Sequence, residues 1–256
     1  MLNNILAMDL LNLKNKLAQF FFLLFISTLA NDVLSQNPEK VNEEKLEKIR
    51  NLFSNAEYQK SLNFLDSVEP ELCENGAMYS CIEAKIIRSN ALRILKRFDE
   101  SGESLKEIEL LSERHLPETH YLRAMFYESI AYLNMQGNPD LENAEKWVNR
   151  SLEIAEFIED AAVRSKIYMI HGFLLDELGK YTDAINAYHY AIRVIGEVNT
   201  KEEKTALSLI HNNLGVTYIT IGEPDSALFH YEQNFKLISE FRLPNHRDFA
   251  INYSNR

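Results

Sequence analysis

The stretch Ser165–Gly196, SKIYMIHGFLLDELGKYTDAINAYHYAIRVIG, decides the fold, because Ser208–Ser239, SLIHNNLGVTYITIGEPDSALFHYEQNFKLIS, repeats its pattern. Each stretch holds an apolar helical run, a short break and a second amphipathic run, as expected for a pair of helices. The positions that match, given as pairs, are Tyr168 and His211, Gly172 and Gly215, Leu175 and Tyr218, Gly179 and Gly222, Ala184 and Ala227, and Tyr188 and Tyr231.

Small residues mark the same pattern further upstream. Ser89, Ala131, Gly172 and Gly215 follow one another at steps of 42, 41 and 43 residues. A period of this size is typical of a solenoid built from helix pairs, in which each repeat packs only on its neighbours. Such a fold provides an extended binding surface and seldom a catalytic cleft.

The match weakens towards the N-terminus and stops abruptly at the C-terminus. Two weaker units cover Phe126–Phe157 and Ile82–Leu111, and a degenerate opening unit covers Glu43–Val68. Residues Ala250–Arg256 align with the start of one further unit, which would be incomplete. Either this half-unit caps the array, or the sequence is a piece of a longer protein.

The pattern resembles the tetratricopeptide repeat (TPR), in its long-helix variety found in bacterial regulators and kinesin light chains. The resemblance implies an all-α fold over residues 42–256: a right-handed superhelical solenoid of antiparallel helix pairs, with about five repeats and a partial sixth. The repeat positions with structural roles are Tyr168, Gly172, Gly179, Ala184, Tyr188, Gly215, Tyr218, Gly222, Ala227 and Tyr231.

These residue types have physical reasons. A small residue at Gly172 or Ala184 allows two helices to approach closely, and Tyr168 and Tyr188 fill the space beside that contact. A glycine such as Gly179 ends a first helix, where a left-handed backbone conformation costs it least. We expect breaks between helices near 54–57, 70–79, 96–98, 114–119, 136–140, 158–162, 178–181, 197–202, 221–224 and 242–246.

Residues 1–35 are predicted to be a signal peptide or a signal anchor. Lys14 and Lys16 precede the apolar run Phe20–Ala30, whose 11 residues fit the core of a signal and are short for a membrane span. A cleavage before Gln36 resembles signals of Bacteroidetes-type bacteria. We therefore expect an exported protein of the periplasm or cell envelope, or alternatively one anchored in the inner membrane.

Charge and motifs argue against several functions. The net charge of −11 disfavours nucleic acid as a partner, because phosphate binding needs a basic face. No nucleophile elbow, P-loop or zinc-binding histidine pair occurs in the sequence. We expect no enzyme activity, no cofactor and no metal site, and membrane contact only through an N-terminal anchor or a missing C-terminal region.

Cys73 and Cys81 lie in one expected connection between helices, CENGAMYSC. In an oxidising compartment they could form a disulfide across that bend. Their spacing fits neither a redox nor a zinc motif, and two free thiols remain the other interpretation.

The residues predicted to bind a partner lie on one face of the first helices. Asparagines can pair both a donor and an acceptor with an extended peptide backbone. We expect a solvated concave groove in which the amides are Asn90, Asn212 and Asn213 and the apolar contacts are Tyr132, Met169 and Phe173.

The sequence therefore predicts a non-enzymatic scaffold that binds a protein or peptide segment on its concave face. The alternative is the extracytoplasmic sensor portion of a longer signalling protein, joined to a histidine kinase or a helix-turn-helix output. An open reading frame that continues past Arg256 into a run of about 20 apolar residues would favour this alternative.

Overall fold

The computed structural model describes residues 38–74, 78–137 and 139–241, which form ten helices and no strand. The helices are α1 Pro38–Ser54, α2 Tyr58–Glu74, α3 Met78–Ile94, α4 Phe98–His115, α5 Tyr121–Gln136, α6 Leu141–Ala155, α7 Ala161–Glu177, α8 Tyr181–Ile195, α9 Lys201–Thr220 and α10 Pro224–Phe241. The predicted all-α fold of five helix pairs is confirmed.

The chain divides into two compact units, residues 1–45 and 46–256. The described part of the first unit is the beginning of α1. Both the predicted signal segment at 1–35 and the predicted partial sixth repeat lie outside the described residues.

Close contacts hold each later pair together at the predicted small residues. A Cβ atom on Gly172 of α7 would lie 2.7 Å from the ring of Tyr188 on α8. The same contact joins Gly215 of α9 to Tyr231 of α10. In the α3–α4 pair, Ser89 and Ser101 stand at the positions of Gly172 and Ala184. Their hydroxyls lie 2.9 Å apart within the core. Residues that the sequence aligns as equivalent in the last two repeats therefore make equivalent packing contacts.

The turn inside each pair uses a left-handed residue. Gly179 and Gly222 have φ values of 72° and 81°, as predicted for helix ends. At the equivalent turns upstream, Lys96 and Ala56 adopt φ values of 61° and 59°. A side chain in this region costs about 1–2 kcal/mol, so packing on both sides of the turn overrides the local preference.

One predicted break is misplaced. The sequence predicts a break over 70–79 that begins at Pro70, but α2 continues through Pro70 to Glu74. Proline removes one backbone hydrogen bond inside a helix. The continuation nevertheless buries Leu72 completely in the core of the first pairs, which also contains Leu65 and Ile49. Burial of this side chain outweighs the lost hydrogen bond.

Cys73 at the end of α2 and Cys81 in α3 are joined in a disulfide. The bond spans eight positions of sequence and links two consecutive helices. Of the two interpretations left open by the sequence, the structure adopts the bonded one.

Candidate functional site

The odd-numbered helices form a layer of their own. Helices α3, α5 and α7 each pack on the next odd-numbered helix, and these helices and α9 also pack on their even-numbered neighbours. The side chains at the junctions between these helices stand within four positions of the small residue of each repeat. We call this set of buried and half-buried residues the inner face, and its members are Asn90, Arg93, Glu128, Tyr132, Phe173, Asp176 and Thr217.

Polar contacts join α3 to α5 on this face. The Asn90 side-chain amide donates a hydrogen bond to the Ser129 hydroxyl at 2.9 Å. One turn further along α3, the Arg93 guanidinium donates to the Gln136 amide oxygen at 2.5 Å. The same guanidinium carbon lies 4.6 Å from the centre of the Tyr132 ring. These contacts hold Asn90 and Arg93 of α3 against the side chains of α5.

The junction of α5 with α7 combines an aromatic pair with an unsatisfied carboxylate. The rings of Tyr132 and Phe173 lie 5.7 Å apart. Glu128, one turn before Tyr132, is half-buried, and its Oε1 atom is buried with no hydrogen-bond partner among the described residues. Burial raises the pKa of Glu128 to about 8, although the positive charge of Lys166 on α7 opposes the rise. Glu128 therefore holds a proton at neutral pH.

A second carboxylate is placed similarly between α7 and α9. Burial raises the pKa of Asp176, and the neighbouring Thr217 hydroxyl on α9 offsets part of the rise. The Oδ1 atom of Asp176 is buried without a hydrogen-bond partner in the part of the chain that the structure describes. Two consecutive junctions of the inner layer thus each carry a buried carboxyl oxygen with no partner among the described residues, although the Asp176 carboxyl also has a hydrogen bond with the Thr217 hydroxyl.

The predicted groove residues are not all accessible. Asn212 is only 5% exposed, and Met169 and Phe173 are each 6% exposed. The prediction of a solvated groove is therefore wrong at these three positions. The reason is that consecutive inner helices pack directly on one another, so these side chains fill the junctions. Asn90, Tyr132 and Asn213 are half-buried, and the binding role of all six residues stays a prediction.

Sequence reasoning missed Arg93, Glu128 and Asp176. The signal was present in the repeat register, since Glu128 stands three residues before the small residue of its repeat, where Met169 and Asn212 stand in the next two. A charged residue at a position that is otherwise apolar or amide-bearing marks a site where packing does not explain the residue type.

A group of histidines lies at the junction of α8, α9 and α10. The Nδ1 atoms of His211 and His230 are 2.9 Å apart, so one ring donates a proton and the other accepts it. The rings of His189 and His230 lie 5.8 Å apart. Burial, followed by the neighbouring histidines, lowers the pKa of His211 to about 4, and burial lowers the pKa of His230.

This histidine group predicts acid sensitivity. Because the folded pKa of His211 lies below its ordinary value of 6.5, stability should be complete above pH 6.5 and fall as the pH drops towards 4. As the pH falls from 6.5 towards 4, the free energy of unfolding of the His211→Gln variant should decrease by about 1 kcal/mol less than that of wild type, after allowance for the partial exposure of His211. Urea unfolding at pH 7 and pH 4.5 measures this, and equal losses in both proteins would contradict it.

Glu128 predicts the opposite pH dependence. Its folded pKa of about 8 exceeds the ordinary 4.5, so the stability that it contributes is complete below pH 4.5 and is lost as the pH rises through 8. The Glu128→Gln variant should match wild type at pH 5 and, after allowance for the partial exposure of Glu128, be more stable by about 1 kcal/mol at pH 9. Urea unfolding at the two pH values tests this, and a variant less stable than wild type at pH 9 would show that the carboxylate is satisfied.

Another concave feature lies beside the disulfide, between α2, α3 and α4. Its cavity of about 470 Å³ is lined by Cys73, Cys81 and a group of charged residues. Those charges satisfy one another, since Glu69 accepts hydrogen bonds from Lys85 at 2.8 Å and from Arg88 at 2.7 Å. A cavity whose charges are already paired presents little to a ligand, so the inner face is the better candidate.

Metal sites and membrane spans both bear on function. No group of three or more His, Cys, Asp or Glu side chains in the described part of the chain is arranged to hold a metal ion. Within the same ranges, the structure contains no helix of the length and hydropathy that a membrane span requires.

Comparison with known proteins shows the fold. No protein-family profile and no curated protein matches the chain. Among solved structures, PlcR from Bacillus thuringiensis, in complex with the peptide PapR7 and DNA, superposes with a TM-score of 0.69 at 13% identity, over 83% of this chain and 75% of that one.

Two further solved structures agree. BtubC from P. vanneervenii gives a TM-score of 0.59 at 15% identity, over 83% of this chain and 87% of that one. A Rap protein complexed with Competence and Sporulation Factor gives 0.65 at 16% identity, over 82% of this chain and 58% of that one. The chain therefore has the fold of a TPR-like helical repeat protein.

Proposed function

We propose that this protein is a non-enzymatic binding module whose inner face holds a peptide or an extended segment of a partner protein. The observation that carries the proposal is the pair of buried carboxylate oxygens, on Glu128 and Asp176, that lack partners among the described residues. Buried polar atoms are nearly always hydrogen-bonded, so unused acceptors on consecutive helices indicate that a ligand supplies the missing donors.

The architecture supports the same proposal. Stacked helix pairs build extended concave surfaces, and the odd-numbered helices here present polar and aromatic side chains along one such layer. An extended segment offers backbone donors at regular intervals and can therefore contact several repeats at once. The solved structures of PlcR with a peptide and of Rap with Competence and Sporulation Factor support this by fold analogy alone.

We further propose that the protein is exported. The disulfide between Cys73 and Cys81 favours an oxidising compartment. The predicted signal at residues 1–35 supplies the route. The sensor portion of a longer signalling protein stays the alternative prediction, which the downstream coding sequence tests.

The inner face predicts which surface changes weaken binding. The probe is a pool of synthetic random heptapeptides, captured on immobilised protein, with the retained peptides identified by mass spectrometry and titrated singly. Replacing Asn90 by alanine removes one amide from the inner face and should weaken a retained peptide about threefold to tenfold. The matched control is Asn149→Ala on the exposed surface of α6, which should leave affinity unchanged.

Thermal melting of both variants separates binding from folding. Asn90→Ala also loses the hydrogen bond to Ser129, so a small decrease in stability is expected, without loss of helix content. If Asn149→Ala weakens binding and Asn90→Ala does not, the ligand lies on the even-numbered helices and the assignment of the inner face is wrong.

A further inference from the structure

Glu128 is the most unusual group on the inner face. Its side chain lies in the α5–α7 junction, and no ion pair within 4.0 Å involves it among the described residues. The nearest opposite charge is that of Lys166 on α7, which acts on Glu128 electrostatically without a hydrogen bond. The carboxylate is thus both withdrawn from water and left unpaired.

This arrangement costs folding free energy, which a structural role would not require. A glutamine or methionine could fill the same space, and Met169 does so at the same register position of the next repeat. Ionisable groups held in unfavourable surroundings inside a concave surface are candidates for functional sites. A positive group supplied by a ligand would convert the cost into binding free energy.

Asp176 provides a second acceptor, on the neighbouring helix α7. It stands four residues after the small residue of its repeat, whereas Glu128 stands three residues before the small residue of its own. Seven positions correspond to about 10 Å along a helix axis, and neighbouring helices lie about 8–10 Å apart. A peptide that reaches both carboxyls therefore has to extend across two neighbouring helices, and an extended chain covers about 3.3–3.6 Å with each residue.

The charges around these acceptors favour a cationic ligand over an anionic one. Arg93 donates to Gln136 and lies over the ring of Tyr132, and these two contacts hold its guanidinium within the protein. An acidic ligand would instead meet the Asp176 carboxyl and would not favour the ionised form of Glu128. The net charge of −11 adds a long-range attraction for basic ligands.

We propose that the inner face takes a basic peptide, and that an ammonium or guanidinium group of this peptide binds the Glu128 carboxylate. The inference rests on the proposed peptide-binding function and specifies its ligand class. Asp176 accepts a second donor of the same peptide, and the half-buried Tyr132 ring, one turn after Glu128, provides an apolar contact.

Binding of a cation at Glu128 has a measurable consequence. At pH 7 the free protein holds a proton on this carboxylate, because the pKa of Glu128 is about 8. The facing groups that influence the carboxyl are Lys166 from α7 and Tyr132 on its own helix, with Arg93 from α3 beside Tyr132. A bound cation favours the ionised form. The carboxyl O–H bond therefore breaks on binding, and the proton passes to the buffer.

The experiment uses two matched pools of N-acetylated random heptapeptides with amidated C-termini. One pool carries lysine or arginine at a single fixed position, and the other carries norleucine or citrulline there. Affinity is measured for the whole protein by calorimetry at pH 7, in phosphate and in Tris, whose ionisation enthalpies differ. We expect the basic pool to bind about tenfold more tightly, with an apparent enthalpy that differs between the buffers.

Three variants sharpen the result. Glu128→Gln should remove both the preference for the basic pool and the release of a proton while still binding the neutral pool. Asp176→Asn should reduce the preference without abolishing proton release. The control, Glu109→Gln on the exposed surface of α4, should behave as wild type.

The outcomes separate the two proposals. If both pools bind wild type equally, and Glu128→Gln is indistinguishable from it, the basic-peptide inference is overturned while peptide binding stands. If neither pool binds wild type, peptide binding on this face fails, and the inference fails with it. Loss of binding of both pools in Glu128→Gln, with unchanged circular dichroism, would show a general positioning role and overturn the specific contact with a cation.

Discussion

Replacing Gly172 by leucine is expected to destabilise the protein by about 3 kcal/mol, because the new side chain has no space. Even a Cβ atom at this position would lie 2.7 Å from the Tyr188 ring. That ring is 1% exposed and enclosed by the core of α7, α8 and α9. It cannot move aside without opening the contact between the two helices. Ala184→Leu, at a completely buried position of the same contact, should act likewise.

Two alanine substitutions provide the comparison. At Gly215 a Cβ atom would lie only 2.5 Å from the Tyr231 ring, yet that ring is partly exposed and can rotate outward. Gly215→Ala should therefore cost less than Gly172→Ala, despite the shorter distance. At Gly102 on α4 a Cβ atom meets nothing closer than 3.6 Å, so Gly102→Ala should stabilise by about 0.5–1 kcal/mol.

Urea unfolding followed by circular dichroism measures all of these variants. The expected order of stability is Gly102→Ala, wild type, Gly215→Ala, Gly172→Ala and Gly172→Leu, from highest to lowest. If Gly172→Leu and Ala184→Leu both melt within a degree of wild type, the register of the repeats is wrong.

Opening the disulfide between Cys73 and Cys81 is expected to cost about 2.5 kcal/mol. The bond closes a loop with a sequence separation of eight residues, and loop-closure entropy in the unfolded chain gives this magnitude. The loss should appear in the first repeats, since the bond joins α2 to α3. Urea unfolding of wild type with and without a thiol reductant provides the measurement.

The control for reduction is the double variant Cys73→Ala, Cys81→Ala. Its free energy of unfolding should be within about 1 kcal/mol of that of the reduced wild type. A small difference is expected because Cys81 is buried and its replacement by alanine leaves a small cavity. Reductant should not affect this variant. Identical unfolding of wild type in both conditions, together with two titratable thiols in the purified protein, would show that the bond is absent.

The fold could be predicted from the sequence because its determinants are local and repeated. Gly172 and Gly215 recur with their partners at a fixed spacing, and each contact forms within about 20 residues of sequence. The run through Pro70 could not be predicted in the same way. Helix α2 continues past Pro70 because Leu72 is buried there, and this burial depends on residues of other helices.

The candidate site was harder to predict, because its residues come from different repeats. Asn212 and Asn213 stood out as a polar pair, but only the packing of α7 on α9 shows that Asn212 is buried. Glu128 is an ordinary helical glutamate in sequence. Its unusual proton affinity arises from burial at the α5–α7 junction, where Lys166 approaches without pairing. Junctions between consecutive odd-numbered helices are a tertiary feature that a repeat alignment does not display.

The most direct test of the account maps a bound peptide on the protein. A peptide recovered from the random heptapeptide pool is resynthesised with a benzophenone at its centre, bound to wild type, irradiated and digested for mass spectrometry. Binding on the inner face predicts crosslinks to α5 and α7, concentrated near Glu128 and Tyr132. Crosslinks confined to α6 and α8 would contradict the claim that the inner face is the binding surface.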